Sequence, residues 1–224
     1  MICFWLLLVF WAILLFVELR KETPKGEHRV QDITFHALIL ALIVVMGFVP
    51  QAGYLSLVPG ISFSLIHLPV LIGAYRKGWK GGLLYGLAFG FTSWIQAISS
   101  GTGLNAFFAY PWISVLPRGI FGFLAGLVFD LLRKNSKLYA NPFVVAGFSF
   151  ALTVTHTVLV FAALFLFFRD TMVALFTSPD SVVEGASYTF LAVIALGALG
   201  EAILGAILTP AIGKALAKAS KRSD

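Results

Sequence analysis

Residues Pro142–Phe168 have the sequence PFVVAGFSFALTVTHTVLVFAALFLFF and contain no Asp, Glu, Lys or Arg. As an α-helix this segment would extend about 40 Å, because each residue adds about 1.5 Å. The hydrocarbon core of a bilayer is about 30 Å thick. The segment therefore predicts a membrane-spanning helix whose polar side chains, His156 among them, face other protein segments rather than lipid.

The composition of the whole chain supports a membrane protein. Hydrophobic residues make up 59% of the 224 residues, charged residues make up only 12%, and the mean hydropathy is +0.95. A soluble domain carries about 25% charged residues, so this composition excludes a surface solvated by water. The single Cys excludes a disulfide framework and a Cys-based zinc site, and no cofactor or metal site is predicted.

Seven apolar runs have roughly the length that a membrane-spanning helix needs. They are Ile2–Val17, Ile33–Val49, Phe63–Tyr75, Leu83–Ile98, Phe107–Leu132, Pro142–Phe168 and Tyr188–Leu216. The third run is short and follows Pro59-Gly60, so we expect a bent or partly unwound first turn there. The pattern predicts an all-α polytopic membrane protein.

The basic residues predict the orientation of these helices. Fourteen of the 16 Lys and Arg residues fall within residues 18–31, 76–80, 133–137 and 214–222. Cytosolic loops are enriched in Lys and Arg, so we expect the N-terminus outside and the C-terminus in the cytosol. This net charge of +6 therefore reflects membrane topology, and no nucleic acid partner is expected.

The first apolar run is interpreted as an extra, peripheral membrane helix. No basic residue precedes it and no small-x-small cleavage site follows it, which argues against a signal peptide. The predicted organisation is an N-terminal anchor and basic loop at 1–30, a six-helix membrane domain at 31–219 and a cytosolic tail at 220–224.

Motifs of common membrane enzymes and ATPases do not fit this sequence. Gly213-Lys214 is followed by Ala215 rather than by Ser or Thr, so a nucleotide-binding P-loop is not predicted. No His-Glu-x-x-His motif occurs. The chain is therefore not expected to be an enzyme.

Three titratable side chains fall at similar depth inside the predicted spans: Arg118, His156 and Glu201. Such residues usually pair with one another, line a cavity or mark a substrate path. One interpretation is a structural ion pair between Arg118 and Glu201. The other is that Arg118 binds an anionic group of a substrate, and the two can coexist because a guanidinium has several donors.

Two predicted outer loops, at 50–62 and 99–112, combine Gly with polar and aromatic residues. In the second loop, Asn105 is a hydrogen-bonding residue and Tyr110 an aromatic one. Loops of this kind can cover a small polar ligand, although aromatic residues at this level can also be interfacial anchors.

Small residues at four-residue spacing indicate close helix contacts. Gly82, Gly86 and Gly90 are expected to form an internal seam, as are Gly122 and Gly126. Ala37 and Ala41 lie near the cytosolic end of the first body helix. They are consistent with internal packing or with a flat surface on which another membrane protein docks.

Several segments, in this order, resemble the substrate-binding S components of energy-coupling factor (ECF) vitamin transporters, in particular the pantothenate-type branch. The resemblance covers residues 31–219. Besides the Ala37–Ala41 pair, the segments are Leu65-Ile-His-Leu-Pro-Val-Leu-Ile-Gly73, the Gly-containing helix at 81–90, Ser114-Val-Leu-Pro-Arg118, the Thr-x-Thr segment around His156, and Gly200-Glu-Ala-Ile203 with Pro210.

The resemblance implies a bacterial membrane protein that binds a vitamin from outside and docks on a membrane coupling subunit with two cytosolic ATPases. Ala37 and Ala41 would be the docking residues. Pantothenate suits a site with one buried cation and several neutral hydrogen-bonding groups. The candidate substrate-binding residues are Arg118, Asn105, His156, Thr155, Tyr110 and Glu201.

Other functions remain open at this point. The vitamin could be folate, riboflavin or cobalamin instead of pantothenate. A self-sufficient secondary carrier could use Glu201 and His156 as a proton relay, although no internal repeat typical of such carriers is found. A structural membrane protein would use its buried charges only to fix the helix register.

Overall fold

The computed structural model describes residues 27–49, 53–58, 61–100, 103–177 and 190–220. Its helices are α1 (Glu27–Phe48), α2 (His67–Ser100), α3 (Pro111–Arg133), α4 (Ser136–Ala140), α5 (Pro142–Phe167), α6 (Arg169–Thr177) and α7 (Phe190–Ser220). A 3-10 helix covers Gly103–Ala109, and the antiparallel strands β1 (Tyr54–Val58) and β2 (Ile61–Ser64) form a hairpin. The predicted N-terminal membrane helix at Ile2–Val17 lies outside the described residues.

Helix α2 reverses its direction at Gly78. This residue has φ 70° and ψ −158°, a left-handed conformation that glycine adopts without steric cost. A Cβ on Gly73 would collide with the ring of Tyr85, and a Cβ on Gly82 would lie 3.2 Å from that of Ala74. Because these residues meet across the turn, α2 consists of two antiparallel helices, α2a (67–77) and α2b (79–100).

The described part of the chain therefore contains the predicted six body helices: α1, α2a, α2b, α3, α5 and α7. Four stretches are long and apolar enough to cross a membrane, namely Val30–Phe48, Pro111–Arg133, Pro142–Phe167 and Ala195–Leu216. The prediction of an all-α polytopic membrane protein is confirmed. The β1–β2 hairpin is a local addition to this helical body.

The third predicted span begins later than the sequence suggested. Phe63 and Ser64 belong to β2, and the helix starts only at His67. Backbone groups before it are paired in the hairpin, where Tyr54 is opposite Ser64 and the N–H of Leu65 donates to the carbonyl of Gly53 at 2.8 Å. Polar backbone inside a membrane protein needs such partners, so a hairpin replaces the bent first turn that we expected.

Glycines bring α2b and α3 into backbone contact, as predicted for an internal seam. A Cβ on Gly82 would collide with the carbonyl oxygen of Gly122, and one on Gly86 with the carbonyl oxygen of Arg118. A Cβ on Gly126 would collide with the carbonyl oxygen of Gly78. The seam therefore fixes the register of α3 against α2b and with it the position of Arg118.

Basic segments that are distant in sequence meet at one end of the bundle, which we call the basic end. Arg133 donates from Nη2 to the carbonyl of Tyr75 at 2.8 Å, and Lys77 Nζ lies 2.6 Å from Asp32 Oδ1. A Cβ on Gly213 would lie 2.6 Å from the Tyr75 ring, which places Lys214 of α7 at the same end. Residues 76–80, 133–137 and the end of α7 thus share one side of the molecule.

Helix α1 has one buried and one exposed face. Phe35, His36 and Ile39 are buried against the bundle, and the Tyr85 hydroxyl lies 2.6 Å from His36 Nδ1. Ala37 and Ala41 are both exposed on the opposite face. These two alanines therefore do not take part in the internal packing of the bundle.

Candidate functional site

Polar side chains from five elements of the fold meet inside the bundle, between the basic end and the opposite end. We call this group the central cluster; its members are Ser64, His67, Arg118, His156 and Glu201. The rings of His67 and His156 are stacked with centroids 6.3 Å apart. Arg118 and His156 both contact the ring of Phe89, at 5.7 Å and 5.5 Å from its centroid.

Arg118 is buried, with 6% of its surface exposed. Its Nη1 donates to the carbonyl of Ile113 at 2.7 Å, and its guanidinium carbon lies 4.7 Å from the centroid of Phe108. Both partners precede Arg118 in the chain, so the side chain points toward the start of α3 and away from the basic end. A guanidinium has five donors in a planar fork that matches a carboxylate, so this side chain is suited to hold an anionic group.

Glu201 connects α7 to the hairpin. Its Oε1 accepts a hydrogen bond of 2.5 Å from the backbone N–H of Ser64, at the end of β2. Hydrogen bonds from backbone N–H groups to a carboxylate are among the stronger ones in proteins. Glu201 therefore fixes the position of the hairpin on the bundle. This contact was not predicted, either by the Arg118–Glu201 ion pair or by the binding of an anionic substrate at Arg118.

His156 is buried among aromatic rings. Its ring centroid lies 4.8 Å from that of Phe121 and 5.5 Å from that of Phe89, and 5% of its surface is exposed. Neither ring nitrogen has a hydrogen-bond partner among the described residues. Because an unsatisfied buried polar group is costly, His156 is suited to bind polar groups of a ligand.

His67 and Ser64 belong to the cluster but were not selected from the sequence. His67 is fully buried at the start of α2a, and its Nδ1 lies 2.6 Å from the carbonyl oxygen of Ser64. The only available signal was a histidine within an apolar run shortly after Pro59-Gly60. Such a histidine is equally compatible with ordinary core packing, and only the structure shows that it stacks on His156.

The other predicted site residues lie further from the centre. The Thr155 hydroxyl donates to the carbonyl of Ala151 at 2.8 Å, and Thr155 lies beside the buried face of α5. Tyr110 is 43% exposed, with its ring 5.3 Å from that of Trp112, and it precedes Arg118 by two turns of α3, about 12 Å. Asn105 belongs to the 3-10 helix, and its side chain lies outside the described part of the chain.

Known proteins resemble this chain along most of its length. Residues 31–213 match the family model described as "ECF transporter, substrate-specific component". The pantothenic acid transporter PanT of Lactococcus lactis subsp. cremoris is 31% identical over 211 residues, which cover 88% of this chain and 99% of that protein. The pantothenate transporter PanT of Leuconostoc mesenteroides is 21% identical over 205 residues, covering 88% and 98%.

The family match and the apolar helices indicate a multi-pass membrane protein that takes part in transport. They confirm the resemblance that residues 65–73, 114–118 and 200–203 suggested. Since the match covers well over half of the chain, this protein belongs to the family of substrate-specific components of ECF transporters.

Proposed function

We propose that this protein is the pantothenate-binding component of an ECF transporter. The observation that carries the proposal is the buried guanidinium of Arg118 beside the imidazole of His156, whose nitrogens have no hydrogen-bond partner among the described residues. Pantothenate has one carboxylate, one amide and two hydroxyl groups, so it needs one cation and several neutral hydrogen-bonding partners. The relatives named as pantothenate transporters, at 31% and 21% identity, support the same choice.

In this proposal Arg118 binds the carboxylate, and His156 binds a neutral polar group. Glu201 holds the hairpin in place over the site through Ser64. Asn105, Thr155 and Tyr110 stay as predicted substrate-binding residues. The body at 31–219 is the substrate-binding domain, with residues 1–30 and 220–224 outside it.

The orientation follows from the charges. The basic end faces the cytosol, because Lys and Arg accumulate on the cytosolic side of membrane proteins. The N-terminus is then outside, the C-terminus is inside, and the substrate enters from the end opposite to the basic one. A membrane coupling subunit and two cytosolic ATPases complete the transporter, and ATP hydrolysis takes place on those ATPases.

Titration calorimetry of the purified protein with pantothenate tests the proposed function. We expect tight binding to the unchanged protein and a loss of at least about 100-fold in Arg118→Ala, since hydrogen bonds to charged groups contribute about 1.5–3 kcal/mol each. Arg118→Lys should recover only part, because an ammonium lacks the bidentate fork. Arg169→Ala, which removes an exposed arginine on the side of entry, is the matched control and should bind normally.

A protein that does not bind pantothenate would contradict the proposed vitamin. Normal affinity in Arg118→Ala would show that this residue is only a structural partner within the bundle. If pantothenate does not bind, titration with riboflavin, folate and cobalamin would identify the alternative substrate.

The exposed face of α1 is proposed as the docking surface for the coupling subunit. Ala37 and Ala41 lie one turn apart on this face, next to the exposed side chains of Leu38 and Val45. Small residues at this spacing let another helix approach closely in the membrane. The face lies outside the bundle, whereas the central cluster lies within it, so docking and binding should be separable.

The double variant Ala37→Trp, Ala41→Trp tests the docking surface. We expect normal pantothenate affinity in detergent but less than about a tenth of the ATP-dependent uptake by vesicles that contain the complete transporter, because bulk prevents close helix packing. Ala162→Trp adds the same bulk to an exposed position of α5 and should leave uptake unchanged. Normal uptake by the double variant would exclude this face as the docking surface.

A further inference from the structure

Two hydroxyl groups that no part of the proposed function uses are buried between α5 and α7. Ser149 and Thr209 are both fully buried, and neither hydroxyl oxygen has a hydrogen-bond partner among the described residues. A helical Ser or Thr commonly donates to the carbonyl four residues earlier, as Thr153 does to Ser149 at 3.0 Å. Ser149 and Thr209 do not make this bond, so their hydroxyl groups remain available.

The helix register places these two residues opposite each other. Helices α5 and α7 are antiparallel, and a Cβ on Gly205 would lie 2.8 Å from Thr153 Oγ1. Side chains four residues apart share one face of a helix. One turn from this contact toward the basic end, α5 therefore presents Ser149 and α7 presents Thr209 to the same seam, and we call them the hydroxyl pair.

The hydroxyl pair continues the central cluster toward the basic end. Ser149 precedes His156 by seven residues, about 10 Å along α5, on the face that also carries Thr153. Arg118 is on the other side of His156, since its guanidinium points away from the basic end toward Phe108. The order from the outside is thus a cation, an imidazole and a pair of hydroxyl groups.

Pantothenate has its groups in a matching order. Its carboxylate is at one end and a hydroxyl at the other, eight bonds apart, or about 10 Å in an extended chain. A charged carboxylate is costlier to bury deeply than a hydroxyl, so the charged end is expected nearer to the outside. A hydroxyl of the ligand can donate to one side chain of the pair and accept from the other.

We propose that Ser149 and Thr209 form the inner end of the substrate site and bind the terminal hydroxyl of pantothenate, while its carboxylate stays at Arg118. This orientation rests on the proposed function, because it takes pantothenate as the substrate. It assigns a binding role to the hydroxyl pair and a direction to the ligand: the hydroxyl end enters first and the anionic end faces outward.

The test combines variants of the protein with altered ligands in titration calorimetry. The ligands are pantothenate, pantothenol, in which an alcohol replaces the carboxylate, and the pantothenate analogue that lacks the terminal hydroxyl. The variants are Arg118→Ala, Ser149→Ala and Thr209→Val. Thr34→Val is the matched control, because the Thr34 hydroxyl is exposed and donates to its own helix at 2.8 Å.

We expect Ser149→Ala and Thr209→Val each to weaken pantothenate binding about tenfold, and neither to weaken binding of the analogue that lacks the hydroxyl. Arg118→Ala should weaken binding of that analogue strongly, yet hardly affect pantothenol. Such non-additivity identifies groups in direct contact. Both variants of the hydroxyl pair should fold, since they remove hydroxyl groups that make no hydrogen bond within the described part of the chain. Their unfolding temperatures check this.

Other results separate the two proposals. No binding of pantothenate to the unchanged protein overturns the proposed function and this orientation together. If pantothenate binds, equal losses for pantothenate and the analogue without the hydroxyl would overturn the orientation alone. If Arg118→Ala weakened binding of pantothenate but not of the analogue that lacks the terminal hydroxyl, this hydroxyl would contact Arg118, and the ligand would bind in the reverse orientation.

Discussion

The basic end and the central cluster are both rich in polar side chains, but they differ in how those side chains are partnered. At the basic end, Asp130 accepts from the N–H of Trp79 at 2.8 Å and from Arg133 at 3.0 Å, and Arg133 also donates to Tyr75. In the cluster, both nitrogens of His156 lack a partner among the described residues. Polar groups that hold a fold together are usually satisfied within it, so the unpartnered nitrogens are consistent with the proposed role of His156 in ligand binding.

The comparison predicts that the basic end contributes to stability and the central cluster to binding. A change at the basic end should lower the free energy of unfolding and leave pantothenate affinity intact once the protein is folded. A change at His156 in the cluster should lower pantothenate affinity and leave the free energy of unfolding intact. Three substitutions, in order of decreasing expected effect, test this division.

Gly78→Ala should have the largest effect. Its Cβ would collide with the Asp130 carboxylate, and the left-handed φ of 70° is unfavourable for alanine. Strain of this kind costs of the order of 1–3 kcal/mol in addition to the collision, so we expect about 3 kcal/mol of destabilisation. The unfolding temperature in detergent measures it, and Gly147→Ala is the control because nothing lies within 4 Å of the Cβ position there.

The collision itself can be separated from the backbone strain. Asp130→Ala removes the carboxylate that the new methyl group would meet, so the double variant with Gly78→Ala should be less destabilised than the two single losses together. Strict additivity would show that Asp130 does not contact the turn. An unchanged unfolding temperature in Gly78→Ala would contradict the reversal of α2 at this residue.

His156→Phe should have an intermediate effect. It should keep or raise the free energy of unfolding and lower the affinity for pantothenate. The phenyl ring fits among Phe89 and Phe121, and the substitution removes two nitrogens that lack a partner in the described part of the chain. The free energy of unfolding should therefore stay equal or rise by about 1 kcal/mol. Pantothenate affinity should fall at least about tenfold, because a ligand group loses its hydrogen bond. Unfolding temperature and titration calorimetry on the same preparation measure both.

The matched control is His36→Phe on α1. His36 is as buried as His156, at 5% exposure each, but its Nδ1 lies 2.6 Å from the Tyr85 hydroxyl. Its replacement leaves that hydroxyl without this bond, so we expect a loss of about 1–3 kcal/mol in stability with unchanged affinity. If both histidines behaved alike, hydrogen-bond satisfaction would not distinguish binding from structural residues in this protein.

Hydropathy and charge were sufficient to predict the helical body. The length of the apolar runs predicted six body helices, and the segments around Arg76 and Arg133 were predicted to share one side, as they do at the basic end. Gly82 and Gly122 were each predicted to lie in an internal seam, and the structure shows that they meet in the same one. These features depend on local composition and on the thickness of the membrane, and both are visible in one sequence.

The central cluster could be predicted only in part. Arg118 was identifiable because a cation inside an apolar run is rare. His67 was not, because its place in the cluster depends on contacts with the Ser64 carbonyl and the His156 ring that the sequence does not reveal. Thr209, in the neighbouring hydroxyl pair, was not either, because a helical threonine usually bonds to its own helix, and only the structure shows that this hydroxyl has no partner among the described residues.

Asp130→Asn should have the smallest effect of the three substitutions, and it tests whether charge at the basic end contributes to stability or to binding. Asparagine keeps one oxygen that can accept from the N–H of Trp79, but its amide nitrogen cannot accept from Arg133, so both the charge and the hydrogen bond toward Arg133 are lost. The Arg133 and Asp130 side chains are 40% and 29% exposed, and solvent screens such pairs to about 0–1 kcal/mol. We therefore expect a decrease in unfolding temperature that is small beside that of Gly78→Ala, and unchanged affinity for pantothenate.

Since Arg133 also donates to the carbonyls of Tyr75 and Arg76, those bonds should keep the turn closed. A large loss of stability would mean that the turn depends on charge rather than on backbone satisfaction, and a loss of affinity would mean that the basic end and the central cluster are coupled through α3.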